Sequence, residues 1–420
     1  MEDITYTAES STIGFLDCEL ETMLNCALDK ASAVCGKGKV LLIPPDITRI
    51  HSRAGFLTDI CYKYFGKKIK AVLPALGTHQ MLSRDQITTM FKTVPVELFC
   101  KHDWRKDVVE LARIESEQVN RITEGGVNYS WPCSVNKMLL DPEISLVISL
   151  GQVVPHEVAG MSNHAKNIFV GCGGKEAIDK SHYAGAVYGI DNIIGKTENP
   201  VRALFDEALH LTQQKMPPVL WVLSVVNESV RGLFTGFGRD CFTRAAKLSH
   251  ELNITVLEKQ PDKIVVYLPP CEYKSTWLGN KAIYRTRSAI ANGGELIIAA
   301  PALECFGEDS GLDSIIRKFG YRKSEIITGF VESSQRLKDN LAVAAHLIHG
   351  SSEDRFTIRY CTGNGLSRGE IESAGFKWGS LDKIMERYDL EKSIAGWNKT
   401  KDGEEFYFIS NPALGLWRYS

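Results

Sequence analysis

The stretch Leu41-Leu-Ile-Pro-Pro-Asp-Ile-Thr-Arg-Ile-His51 opens on an apolar run, breaks at two prolines, and then sets an acid, a cation and an imidazole within six residues. An uninterrupted Val/Ile/Leu run that ends abruptly in Pro-Pro reads as a strand buried on both faces, followed by a loop. The same grammar recurs twice. Ala71-Val-Leu-Pro-Ala-Leu-Gly-Thr-His79 runs from apolar residues into a Gly-Thr-His turn. Leu146-Val-Ile-Ser-Leu-Gly-Gln-Val-Val-Pro-His156 does so again and continues to Lys166. Strand candidates over Val40–Ile43, Ala71–Pro74, Ser145–Leu150, Asn167–Val170, Val219–Val226, Lys263–Leu268 and Glu295–Ala300 alternate with segments of helical period. That alternation predicts an α/β chain of two domains, with mainly parallel sheets flanked by helices. Asn199-Pro-Val-Arg-Ala-Leu-Phe-Asp-Glu-Ala-Leu209 is a helix whose Pro200 suits the first turn, and Ser367-Arg-Gly-Glu370 has capping-box spacing.

In such sheets ligands sit beyond the carboxyl ends of the strands, so three loops after three strands define a candidate crevice carrying Asp46, Arg49, His79, His156 and Lys166. Singly, each has a plain reading. A loop His is commonly a surface residue, Asp46 and Arg49 make a local ion pair, and Lys166 is a solvated lysine. Their joint placement at strand ends is what favours chemistry. Gly171-Cys-Gly-Gly-Lys-Glu176 lacks the spacing and the hydroxyl of a phosphate loop, and Gly236-Phe-Gly238 and Gly363-Asn-Gly365 are turns. His346 and His349, three apart, read as a partly buried helix face. Cys172 has no partner that marks it as a nucleophile.

Length and composition set the frame. The 420 residues suit more than one domain. The joint is expected near Pro269-Pro270, giving a larger cofactor-binding and catalytic domain over residues 1–270 and a smaller substrate-closing domain over residues 271–405. The apolar tail, residues 406–420, is expected to pack back on a domain, with the active site in the interdomain cleft. Lys and Arg (49) nearly cancel Asp and Glu (51), which argues against a nucleic-acid binder. No apolar stretch is long enough for a membrane span, and the acidic start shows no secretory signal. Eleven cysteines without a Cys-x-x-Cys pair suggest neither a disulfide framework nor a zinc ribbon. A cytoplasmic location is the expectation.

Pro45-Asp-Ile-Thr-Arg49, Gly77-Thr-His79 and Pro155-His156, followed by Lys166, Gly174-Lys-Glu176 and His182, resemble the nickel-dependent lactate racemase family. The likeness is dense from Lys39 to Ile87 and from Ile144 to Arg202. It implies a nickel-pincer nucleotide, a pyridinium-3-thioamide-5-thiocarboxylic acid mononucleotide gripping nickel through sulfur, joined covalently to Lys166. It also implies His182 as the protein ligand to nickel, and His79 and His156 as the acid–base pair. Asp46 and Arg49 fall in the first-loop motif, where Arg49 would bind a carboxylate or the cofactor phosphate. Cofactor-biosynthesis proteins would load the chain.

The implied reaction is racemisation or 2-epimerisation of a small-molecule 2-hydroxy acid by reversible hydride transfer, which avoids abstracting a weakly acidic α-proton. Two imidazoles suit it, one as base and one as acid in either direction. Nickel accepts imidazole nitrogen as well as sulfur. The chain departs from the family pattern at Ser162-Asn-His-Ala165, where lactate racemases run Ser-Gly-Gly-Arg. It departs again at Arg285 and Ser288, which align with polar substrate contacts. The changed set implies a substrate larger or more polar than lactate, such as a sugar acid or hydroxy diacid. For Arg285 and Arg287 the plain alternative is a solvated helix face. Two other functions compete with the racemase reading: a nicotinamide-dependent 2-hydroxyacid dehydrogenase, which lacks its Gly-rich fingerprint here, and a non-catalytic hydroxy-acid binding protein.

Overall fold

The computed structural model describes residues 5–413 and 415–419; the first four residues and positions 414 and 420 lie outside the description. The chain forms two compact units. One comprises residues 1–181 and 193–253, the other 182–192 and 254–420.

In the first unit, strands β1 (Tyr6–Glu9), β2 (Lys39–Ile43), β3 (Ile69–Val72), β6 (Ile144–Gln152), β9 (Val219–Asn227) and β10 (Ser229–Gly236) make one sheet in the order β1-β10-β9-β6-β2-β3. Pairing is parallel from β3 through β2 and β6 to β9, and antiparallel from β9 to β10 and β1. Leu41, Leu42 and Ile43 are fully buried, as are Val147, Ile148 and Leu150. The unbroken apolar runs therefore belong to interior strands covered on both faces, each such side chain contributing on the order of 2 kcal/mol relative to exposure. Two antiparallel ribbons accompany this sheet: β4 (Val108–Ile114) with β5 (Trp131–Asn136), and the two-residue strands β7 (Pro155–His156) and β8 (Gly160–Met161).

The second unit carries a sheet in the order β15-β14-β13-β12-β17-β16, from β12 (Lys263–Tyr267), β13 (Glu295–Ala300), β14 (Thr357–Thr362), β15 (Lys377–Ser380), β16 (Gly396–Lys399) and β17 (Glu405–Ile409). It is parallel except for its last pair, β16 with β17. Strand β11 (Ile254–Leu257) pairs in parallel with β18 (Leu416–Tyr419). Pro269 and Pro270 follow β12 inside this unit.

One expected strand is not a strand. Asn167–Val170 lies in a π-helical turn spanning Asn167–Gly171, closed by the Cys172 N–H donating to the Asn167 carbonyl at 2.9 Å. Three consecutive apolar residues, Ile168–Val170, fit a buried strand and a buried helical turn equally well, so periodicity could not separate them. Packing decides. Residues 168–172 are buried, and Gly171 presses so closely on Ala75 that a Cβ there would meet its side chain at 2.6 Å. Such π turns concentrate at functional positions. The helix expected after Asn199 runs Pro200–Thr212 with Asn199 as its cap, and Ser367 forms the anticipated capping box with Glu370.

His346 and His349 lie on helix Leu341–His349 and are buried. His346 bonds the Tyr284 hydroxyl through Nδ1 at 2.7 Å and the Tyr321 hydroxyl through Nε2 at 2.9 Å. This is a core polar network with no metal-ligand geometry. Among the described residues no helix is long and apolar enough to cross a membrane.

Candidate active site

Strands β3, β2 and β6 are adjacent and parallel, so their carboxyl ends emerge side by side. The three loops that follow are knitted together by backbone. The Ala75 N–H donates to the Pro44 carbonyl at 2.8 Å, joining the second loop to the first. The Gly77 N–H donates to the Gly171 carbonyl at 2.8 Å, joining the second to the turn beyond Lys166. Gly77 has φ of 57°. In that left-handed region a side chain is strained, which is the physical reason for glycine in Gly77-Thr-His79.

Asp46 caps the short helical turn after β2. Its Oδ1 accepts from the Thr48 N–H at 2.8 Å and the Thr48 hydroxyl at 2.5 Å, and its Oδ2 contacts His79 Nδ1 at 2.6 Å. The carboxylate is 8% exposed and the imidazole 44%, so the pair is anchored inside and presents its ring outward. Burial alone would raise the Asp46 carboxyl. The hydrogen bond and charge of His79, together with Thr48 and Arg49, outweigh it and hold the group well below the usual carboxylate range. Asp46 is therefore an anion, and it fixes the neutral His79 ring as the Nδ1–H tautomer with Nε2 as the outward nitrogen.

His156 is buried on β7, and its Nδ1 accepts from the Val158 N–H at 3.1 Å and the Ala159 N–H at 3.3 Å. With Nδ1 occupied as an acceptor, the neutral ring carries its proton on Nε2. The β7–β8 turn that supports this ring depends on Gly160, where φ is 74° and a Cβ would lie 1.9 Å from the Lys196 carbonyl oxygen.

Lys166 starts the π turn. The residue is half-buried. Burial, reinforced by the positive charges of Arg49 and Arg202, pushes its pKa down to about 8; Glu157 and Asp46 oppose this. A lysine so placed is partly neutral near physiological pH, the form that acts as a nucleophile. These charges couple Lys166, Arg49 and Asp46 electrostatically.

The departure Ser162-Asn-His-Ala165 has a structural explanation. Asn163 and His164 both adopt positive φ, 70° and 56°. Two consecutive left-handed residues suit Gly-Gly best, yet Asn tolerates this region and its Oδ1 accepts from the His164 N–H at 2.7 Å. The turn is thus made without glycine, and the His164 ring packs against Trp221 (4.4 Å between centroids) and Phe242 (5.2 Å). Burial, then the nearby cations Arg202 and Arg239, keep this imidazole well below its ordinary pKa and neutral.

The remaining candidates lie elsewhere in the chain. His182 is half-buried on helix Lys175–Tyr188, at the residue where the chain passes from the first unit to the second. Arg285 and Ser288 belong to the second unit. Arg285 and Arg287 are each 2% exposed, so the solvated helix face considered as their alternative is not what forms. Arg287 Nε donates to both Asp191 oxygens at 3.1 and 3.2 Å, and its Nη1 donates to the carbonyls of His349 and Ser351. Ser288 Oγ donates to Asp191 at 3.0 Å. Cys172 is buried, which pushes its thiol far up and makes it inert. Among the described residues no group of three or more His, Cys, Asp or Glu side chains is arranged to hold a metal ion unaided. Two residues not expected at the site are Thr48, which bonds Asp46, and Arg202, which bonds the loop before Lys166.

Residues 19–190 match the model of the lactate racemase N-terminal domain. No curated protein matches the chain. Among solved structures, a crystal structure of a Thermotoga maritima protein superposes with a TM-score of 0.81 at 21% identity, covering 98% of this chain and 100% of that one. The lactate racemase apoprotein from Thermoanaerobacterium thermosaccharolyticum superposes with a TM-score of 0.68 at 17% identity, covering 95% and 93%. At these identities the two structures speak for the fold, and the domain match speaks for descent. Over residues 19–190, then, the chain is similar to the lactate racemase N-terminal domain, and over nearly its whole length it shares its fold with the lactate racemase apoprotein.

Proposed function

We propose that this protein is an isomerase, a racemase or 2-epimerase of 2-hydroxy acids, that works with a nickel-pincer nucleotide attached to Lys166. The observation that carries the proposal is the pairing of a depressed lysine with two imidazoles held in complementary tautomers on loops at one edge of the sheet. His79, with its Nδ1–H directed at Asp46, offers the Nε2 lone pair as a base. His156, with Nδ1 accepting from backbone, presents an Nε2–H as a hydrogen-bond donor, and would act as an acid only from its protonated form, with Nδ1 released from those backbone N–H groups. A reaction that removes a hydroxyl proton on one side and returns one on the other needs one imidazole neutral, as base, and the other protonated, as acid.

The residues present suit such a cofactor. The Lys166 amine has the neutral fraction that covalent attachment requires. When bound, the nucleotide would supply a hydride-accepting ring and a nickel ion held largely by its own sulfur donors, so one protein ligand, with His182 as the candidate, is enough. Arg49 would bind an anionic carboxylate or phosphate in two-point geometry. Asp46 keeps His79 oriented and stabilises its protonated form after it accepts a proton. A polar 2-hydroxy acid, such as a sugar acid or hydroxy diacid, is the proposed substrate class.

The test is the chain co-produced with cofactor-biosynthesis proteins. The expected results are about one nickel per chain, a mass adduct on the Lys166 peptide, and interconversion of D and L forms within a panel of lactate, aldonates and hydroxy diacids. Absence of nickel and adduct, with reduction of added NAD in the presence of hydroxy acids, would replace this reading with a dehydrogenase. Ligand binding without turnover would replace it with a binding protein.

A further inference from the structure

Helix Pro200–Thr212 buries a cation completely. Arg202 is 0% exposed. Its Nη1 donates to the Asn163 carbonyl at 3.2 Å, and its Nη2 donates to the Ala159 carbonyl at 3.4 Å and, more closely, to that of Met161. Asn199, the cap of the same helix, adds a bond from Nδ2 to the Ala159 carbonyl at 3.3 Å. The three carbonyls all fall between His156 and Lys166. The guanidinium also lies 4.5 Å from the centre of the Phe242 ring, against which His164 stacks.

Among the described residues no carboxylate comes within ion-pair distance of Arg202; Nη1 and Nη2 are spent on backbone, and the buried Nε has no hydrogen-bond partner. Burying a guanidinium without an ion-pair partner costs several kcal/mol, and an apolar residue of similar volume would fill the same space at less cost. What an apolar residue would not supply is a planar fork that reaches carbonyls at positions 159, 161 and 163 together. That segment includes Gly160 and the two left-handed residues, Asn163 and His164, and has little regular structure of its own to hold it.

We propose that Arg202 is a positioning residue for Lys166: its buried guanidinium clamps residues 159–163 and so fixes the loop from which the reactive lysine projects. The same charge acts on Lys166 through space, since burial, Arg49 and Arg202 are what lower the lysine. The inference rests on reading Lys166 as the attachment point, but its test needs no cofactor.

Full-length chain made without the biosynthesis proteins is compared with Arg202→Met and Arg202→Lys. Each is treated with limiting acetic anhydride from pH 6 to 10, and acetylation of Lys166 is read by peptide mass spectrometry. Amide hydrogen exchange is followed over residues 157–165. The parent is expected to reach half-maximal reactivity near pH 8. In Arg202→Met the midpoint should rise, by less than it would on loss of Arg49, and exchange over 159–163 should quicken by about tenfold or more. Arg202→Lys, which keeps the charge but loses the fork, should hold the midpoint while exchange still quickens. An unchanged midpoint and unchanged exchange in Arg202→Met, even with a lower melting temperature, would overturn the proposal and leave Arg202 as core filling. If Arg202→Met does not fold, unchanged exchange in Arg202→Lys overturns it equally. Absence of nickel and adduct in the loaded parent would refute the racemase reading without touching these labelling results.

Discussion

Lys166→Met should make the cofactor-free chain more stable, by an amount that depends on pH. The parent holds a lysine whose pKa falls from the ordinary 10.5 to about 8 on folding, because burial and two neighbouring guanidinium groups disfavour its charge. Below about pH 8 the folded state must carry this charge, and the destabilisation is complete. Between about 8 and 10.5 the folded chain has released the proton that the unfolded chain still binds, so stability rises with pH. Above that window nothing remains to be relieved. The full shift corresponds to on the order of 3 kcal/mol. Because the residue is half-buried and solvent screens part of the effect, about 1–2 kcal/mol is the expected gain at pH 7. Met keeps the length and the apolar stem. In a chain of this size the gain is a rise of roughly 1–4 °C in melting temperature at pH 7, shrinking toward zero by pH 10.5. Parallel thermal melts of parent and variant across pH 6.5–10.5 measure it. A variant less stable than the parent at pH 7, or a difference that does not change with pH, would refute the reasoning.

Three further variants test the same geometry. Asp46→Asn leaves the size of the side chain but removes the anion that orients His79; turnover by the loaded enzyme should fall by about 100-fold or more, with folding intact by circular dichroism. Conversely, the stability that Asp46 contributes is present above the ordinary carboxylate pKa and is lost in strong acid as its depressed folded pKa is approached; the acid limb of the parent's unfolding curve should flatten in Asp46→Asn. Gly160→Ala drives a Cβ to 1.9 Å from the Lys196 carbonyl oxygen, so the β7–β8 turn must move; a loss of roughly 2 kcal/mol or more is expected in urea unfolding. His164→Gly relieves a left-handed non-glycine residue but empties the space between Trp221 and Phe242; the cavity term wins, and the variant should be less stable by about 2 kcal/mol.

Part of this site is written in local sequence. Apolar runs that stop at Pro-Pro, Gly-Thr-His and Pro-His mark strand ends directly, because the strands are interior and carry no polar face to blur the pattern. The acid, cation and imidazole residues beyond them were visible for that reason, as were the Asn199 and Ser367 caps, which depend only on neighbours three residues away. Other features were not legible. Asn167–Val170 became a π turn because Gly171 must pass against Ala75 and Asn163-His164 turns the chain just before it, contacts that no periodicity encodes. Arg287 was open to reading as solvated because a basic residue on a helix usually is, yet its partner Asp191 lies far away in sequence.

Sequence alone determined the parallel-rich α/β class, the strands that end in loops, and the identity of the residues on them, since burial on both faces and capping are local constraints. Tertiary structure decided that β3, β2 and β6 are neighbours, that Asp46 grips His79, and that Arg202 reaches three carbonyls ahead of Lys166. The reason is physical. Strand order, tautomer and the reactivity of a lysine are set by which distant charges and dipoles share a low-dielectric space, and a linear chain does not state those distances.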